Sequence, residues 1–311
     1  MINPAIRMAS DYNRGLPPPV RGAHVVAATV RAAATPPLRW ALAPNRARWA
    51  APLIIGAALF IALLPFDGPL SRVCQNVFNH LGGDLKRELV AWQQFGQGFA
   101  LLFTSAVIWL LDPARRRRLL DLAAGAALTF GTGDALKVLV GRPRPRVGIS
   151  SGTPDPHTFL GPWGQYPLTL KAGSTRLLHA WSPDAWRSSD LWSMPSTHTA
   201  AAALLCVFLS SLYPRIRPLM WFMVAFVGVS RVLTGAHWPT DVVVGAVIGA
   251  VSGHLAVDRF WGVRAADRLW RRLVDHNASP AYPAIAAYES ALQDPRVSPP
   301  PCAPSMPPPA A

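Results

Sequence analysis

Six apolar runs, most of them free of charge, alternate with short arginine-rich turns along this chain, and that alternation leaves little choice of fold. The runs cover about residues 49–65, 95–111, 119–140, 196–213, 219–233 and 240–257. At about 1.5 Å rise per residue, roughly 17–20 residues cross a bilayer's hydrocarbon core. Inside lipid, every backbone polar group must be satisfied within the segment, which selects helices. The expected fold is therefore all-α: an integral-membrane six-helix bundle, residues 49–258, with disordered N- and C-terminal tails. Composition agrees, since 51% of the 311 residues are hydrophobic and 15% charged, with a mean hydropathy of +0.23.

A net charge of +14 first brings nucleic acid to mind. The placement of the charge argues against it, because the arginines flank apolar runs as cytoplasmic anchors do. Arg115–Arg118 follow the second run, Arg215 and Arg217 lie between the fourth and fifth, and Arg259, Arg264, Arg268, Arg271 and Arg272 follow the sixth. Both termini are then cytoplasmic, as expected of a multi-pass protein of a bacterial inner membrane. Arg142, Arg144 and Arg146 fall on the opposite, external side, where a functional need for positive charge accounts for them. Residues 1–48 are rich in Arg, Pro and Ala, with Asp11 the single acid. They read as a disordered tail rather than a signal or transit peptide, because Pro17–Pro19 and Pro36-Pro37 break any amphipathic helix. Residues 259–311 read as a basic and then Pro-rich tail. Cys74, Cys206 and Cys302 imply no disulfide framework.

Three polar clusters gather at the external end of the runs. KVLVGRPRP begins at Lys137, PSTH begins at Pro195, and SRVLTGAHWPTD spans Ser230–Asp241. On a helix, His237 and Asp241 share a face. A carboxylate holding one ring nitrogen leaves the other as a free lone pair. Taken alone, that stretch is equally a His–Asp pair capping a membrane helix. Together the clusters supply more. Lys137, Arg144 and Arg231 suit the oxygens of a phosphoryl group. Ser196 and the N–H groups at the start of the fourth run, including that of Thr197, add donors. His237 can attack phosphorus while His198 protonates the leaving oxygen. No grouping of ligands has zinc or two-metal spacing, so metal-free catalysis with no cofactor is expected.

These motifs resemble the type 2 phosphatidic acid phosphatase superfamily, marked by K-x6-RP, PSGH and SR-x5-H-x3-D. The chain carries Lys137-x6-Arg144-Pro145, Pro195-Ser196-Thr197-His198 and Ser230-Arg231-x5-His237-x3-Asp241. The resemblance covers the six-run core and neither tail. It implies His237 as nucleophile, Asp241 as its orienter, His198 as general acid, and Lys137, Arg144, Ser196 and Arg231 as phosphate ligands. Thr197 replaces the family's glycine, keeping the N–H but adding bulk. PSTH is similar to the sphingosine-phosphate phosphatase branch; the third motif is similar to undecaprenyl-diphosphate and phosphatidylglycerophosphate phosphatases. The resemblance implies a membrane phosphatase acting on a phosphorylated lipid at the extracytoplasmic face. A phosphotransferase on the same scaffold and a non-catalytic phospholipid binder are the alternatives.

Other features receive plainer readings. Arg142 and Arg146 read as a solvated basic stretch. Residues 147–194 form a long loop whose tryptophans make an interfacial belt or a headgroup-selecting lid. His157 and His179 read as loop surface, and His254 as a polar contact between helices.

Overall fold

The computed structural model describes residues 48–148, 158–169, 175–282 and 285. The two tail expectations fall largely outside these residues, as does His157.

Each apolar run becomes a helix. The elements, in order, are α1 (Ala50–Leu63), α2 (Asp67–His80), α3 (Gly83–Trp92), α4 (Gly98–Leu111), α5 (Leu119–Val140), α6 (Pro145–Gly148), α7 (Pro183–Ser188), α8 (Thr197–Leu212), α9 (Arg217–Leu233), α10 (Pro239–Val257) and α11 (Trp261–Leu273). Between α6 and α7 an antiparallel hairpin joins β1 (Tyr166–Thr169) to β2 (Thr175–Leu178), with Tyr166 opposite Leu178.

Among the described residues, four continuous helical stretches are long and apolar enough to cross a membrane: Ala50–His80, Pro113–Val147, Pro214–Leu233 and Pro239–Leu273. A fifth is reached if Gly83–Gly96 and Gly98–Leu111, bent by 64°, count as one broken span. Six spans were expected from sequence; the shortfall is α8, which has 16 residues. That helix is the centre of the bundle. Residues Ala200 through Phe208 are buried without interruption, packed by α5, α9 and α10. Such a helix is hydrophobic all round because every side faces protein. By contrast α1 and α4 present Ile54, Ile61, Phe99 and Leu110 outward, the surface an integral membrane protein gives to lipid.

The seam between α8 and α10 is made by small residues. Gly245 and Gly249 sit one turn apart on α10, so close that a Cβ on them would lie 2.3 Å from the Ser196 carbonyl oxygen and 1.9 Å from that of Ala200. Backbone therefore packs on backbone, the usual solution where lipid supplies no hydrophobic drive between helices.

After the first run, Asp67–His80 continues helically from it. Three regions depart from the expectations. Residues 261–273, read as tail, form a further helix. The arginine block after α4 is only partly a solvated anchor. Arg115 pairs with Asp112, and Arg118 bonds the Val257 carbonyl at 2.8 Å and meets Asp121 at 2.9 Å. The long loop is also built rather than open, because Tyr166, Leu168, Leu178, Ala180, Ala185 and Leu191 form their own buried cluster.

Candidate active site

Gly141 ends α5. It takes the left-handed conformation, φ +56°, that a helix C-cap favours, and its N–H returns to the Lys137 carbonyl at 3.0 Å. The chain then turns at once into the basic segment, and Arg142 goes inward. Its side chain is 1% exposed. Nη1 donates to Asp241 Oδ1 at 2.6 Å and Thr240 Oγ1 at 2.8 Å, Nη2 to Asp67 Oδ2 at 2.7 Å, and Nε to Thr158 Oγ1 at 3.2 Å. The guanidinium also lies 4.3 Å from the Phe159 ring centre and 5.1 Å from that of Trp238. The reading of Arg142 as a solvated charge is thus wrong. A planar five-donor fork is what two buried carboxylates require. Arg146 fits that reading better, being half-exposed, although it pairs with Asp190 at 2.7 Å.

Asp241 occupies the third position of α10 and closes the turn before it, accepting from the Trp238 N–H at 2.9 Å. Its other contacts are Arg142 and the Ser193 hydroxyl, which donates to Oδ2 at 2.5 Å. His237 Nδ1 is 3.8 Å from Asp241 Oδ2 but 2.5 Å from the Ser193 carbonyl oxygen. The expected direct His–Asp hydrogen bond is therefore replaced by one to a main-chain carbonyl that Asp241 helps to hold. A carbonyl can only accept, so Nδ1 carries the hydrogen and Nε2 the lone pair. Ser193 is further fixed by its N–H, which donates to the Arg142 carbonyl at 3.0 Å. Ser193 thus ties the first and third sequence clusters together, and the second is joined by the Ser196 N–H, which donates to the Asp241 carbonyl at 3.0 Å.

The cations converge. Lys137, Arg144, Arg231 and His237 all lie close enough to His198 to act on it electrostatically. Arg144 is held by the Ser189 carbonyl at 3.0 Å, and Arg231 Nη1 donates to Gln93 Oε1 at 3.2 Å. Arg231 Nε is buried without a hydrogen-bond partner. Lys137 pairs with Asp134, three residues earlier on α5, at 2.8 Å, and lies over the Trp192 ring. Ser196 is buried and caps α8, its hydroxyl 2.9 Å from Thr199 Oγ1 and 3.4 Å from the Thr199 N–H. Thr197 opens the helix beside it, half-buried, with Gly133 of α5 nearby. Motif matching missed Ser193, Asp67, Gln93 and Gln97. Of these, only Ser193, two residues before the PSTH motif, lay near a signal. His179 stacks on Trp181 and bonds Gly164 within the loop, and His254 bonds Asp258 one turn along its own helix at 3.0 Å, not a neighbouring helix.

His237 lies between two spans and is fully buried. Burial pushes its pKa down most, Asp241 pulls it up, and Arg231 and Arg144 lower it further, to about 4. Its ring is neutral at physiological pH. An unfolded chain takes up this proton near the ordinary value of about 6.5. Between the two values the unfolded state binds more protons, so this group's contribution, complete above about pH 6.5, is lost as pH falls towards 4. The thermal midpoint is expected to drop more steeply on acidification in the wild type than in His237→Gln. Equal slopes would contradict the depressed pKa.

The PAP2 superfamily model matches residues 118–264. The lipid A 1-phosphatase of Rhizobium johnstonii is 26% identical over 221 residues, 65% of this chain and 77% of that protein. Two crystal structures also align: LpxE of Aquifex aeolicus, with 20% identity, TM-score 0.43, 62% of this chain and 94% of that one, and the PAP2-type phosphatidylglycerolphosphate phosphatase of Bacillus subtilis, with 17% identity, TM-score 0.45, 73% and 99%. The stretch that carries Lys137, Arg144, both site histidines, Arg231 and Asp241 lies wholly within residues 118–264, the part of the chain that matches the PAP2 superfamily model.

Proposed function

We propose that this protein is a six-span lipid phosphate phosphatase that works through a phosphohistidine at the extracytoplasmic face, without a metal. The observation that carries the proposal is the Ser193 carbonyl 2.5 Å from His237 Nδ1, which leaves the Nε2 lone pair available as a nucleophile. In the first step Nε2 bonds to phosphorus and the bond from phosphorus to the leaving oxygen breaks. His198 gives that oxygen a proton. In the second, His198 takes a proton from water as the water oxygen bonds to phosphorus, the P–N bond breaks, and orthophosphate leaves. Arg144, Arg231 and Lys137 balance the charge on the phosphoryl oxygens, with Lys137 exchanging Asp134 for phosphate.

The substrate enters laterally from the outer leaflet, its acyl chains remaining in lipid. The similarity to a lipid A 1-phosphatase makes a phosphorylated glycolipid the first candidate. The test is phosphate release in detergent with EDTA, using lipid A, phosphatidate, phosphatidylglycerophosphate, undecaprenyl diphosphate and sphingosine phosphate. Release that survives EDTA, from lipid A above the others, is expected. Release abolished by EDTA would remove the metal-free mechanism. Transfer to an added lipid or sugar hydroxyl, with no free phosphate, would make the protein a transferase.

A further inference from the structure

The segment Gln93–Gly98 lies outside the stretch that matches the superfamily, yet it reaches the site. Here the chain breaks between Gly83–Gly96 and Gly98–Leu111, turning by 64°. A Cβ on Gly96 would lie 2.3 Å from the His198 carbonyl oxygen, so the break packs backbone to backbone on the first turn of α8. On one side of Gly96, Gln93 is 4% exposed and its Oε1 accepts from Arg231 Nη1 at 3.2 Å. On the other, Gln97 places Nε2 3.3 Å from His198 Nε2. A short break therefore touches both the cation and the histidine that the mechanism needs on the leaving-group side.

We propose that Gln93 and Gln97 are positioning residues, Gln97 for the general acid and Gln93 for the phosphate-binding arginine; this rests on the reading of the site as a phosphatase. An amide suits the first role because it can serve both protonation states of the ring. Its NH2 donates to a bare Nε2, and after a half-turn its carbonyl accepts from Nε2–H. The other groups acting on His198 are Lys137, Arg144, Arg231 and His237, cationic or neutral. Gln97 is thus the neighbour able to accept the ring's proton-bearing edge without adding positive charge. Gln93 fixes one arm of the Arg231 fork, so that the remaining donors face phosphate.

The test compares wild type, His237→Ala, Gln97→Leu, Gln97→Glu and Gln93→Leu in turnover of phosphatidate and lipid A, and in calorimetric binding of orthophosphate. Turnover in wild type that disappears in His237→Ala upholds the underlying reading. Gln97→Leu is then expected to lower kcat by ~10- to 100-fold, the scale of a misplaced catalytic group, with KM within twofold and the basic limb of kcat moved to lower pH. Gln97→Glu is expected to move that limb to higher pH, because a carboxylate favours the protonated ring. Gln93→Leu is expected to weaken orthophosphate binding and raise KM by about tenfold, one lost charge-assisted bond, with no shift of the limb. Where Gln97→Leu does not fold, Gln97→Asn, one methylene shorter, replaces it with the same expected direction. Wild-type kcat and limb in the Gln97 variants, together with wild-type phosphate binding in Gln93→Leu, would overturn the inference. Should wild type turn over neither these two nor the other three lipids named above, the phosphatase reading falls, while the calorimetric arm still decides the role of Gln93.

Discussion

His237→Ala is expected to cut turnover by roughly 10⁴- to 10⁶-fold, as losing a nucleophile does in enzymes whose groups act as a unit. Arg142 and Asp241 are locked into each other, and Ser196 is spent on its helix cap. The variant should stay folded, since removal of a neutral ring leaves the Arg142–Asp241 pair intact. Acid-labile radiolabelled phosphate, trapped on the wild type by rapid quenching, should be missing from it. His198→Ala should lose less, about 10²- to 10⁴-fold. Its deficit should shrink with p-nitrophenyl phosphate, whose leaving group needs no acid. A trapped phosphoenzyme in His237→Ala would rule out the assignment.

Arg142→Met should be the most destabilising single change near the site. Asp67 and Asp241 are both buried and share this one guanidinium, at 2.7 and 2.6 Å. Removing the cation leaves two carboxylates without their charge partner, and breaking a buried pair typically costs about 3–5 kcal/mol. Thermal unfolding in detergent should show the loss directly. Adding Asp67→Asn should restore part of it, because the two changes fall in one network and are not additive. A midpoint unchanged in Arg142→Met would mean that the network does not hold this end of the bundle.

The helices were legible in the sequence because lipid-facing runs must be apolar throughout, as α1 and α4 are. The three motifs were legible for a different reason: each needs fixed residue types at fixed spacing. What sequence could not convey was partnership. Arg142, Arg144 and Arg146 stand at alternate positions of one short stretch, yet one is entirely buried, one half-buried and one open. That difference is set by Asp67, 75 residues away. The same holds for His237: four-residue spacing implied a bond to Asp241, and the helix does bring them within 3.8 Å. A carbonyl, which every residue possesses, lies nearer, and no sequence pattern marks it. The central place of α8 was not legible either, because burial by protein and burial by lipid ask for the same residues, and its 16 residues are surrounded by other helices.

The tie between Arg142 and Asp67 bears on how small a working version of this protein can be made. Asp67 also accepts from the Thr240 N–H at 2.9 Å, one residue before Asp241. The first 31-residue helix thus supplies an anion to the very turn on which the site depends. A fragment trimmed to residues 118–264 would keep every signature residue but leave buried Arg142 with only one of its two carboxylates. A unit that keeps this network whole begins upstream of Asp67. A split version keeps it only when the N-terminal piece is supplied in trans.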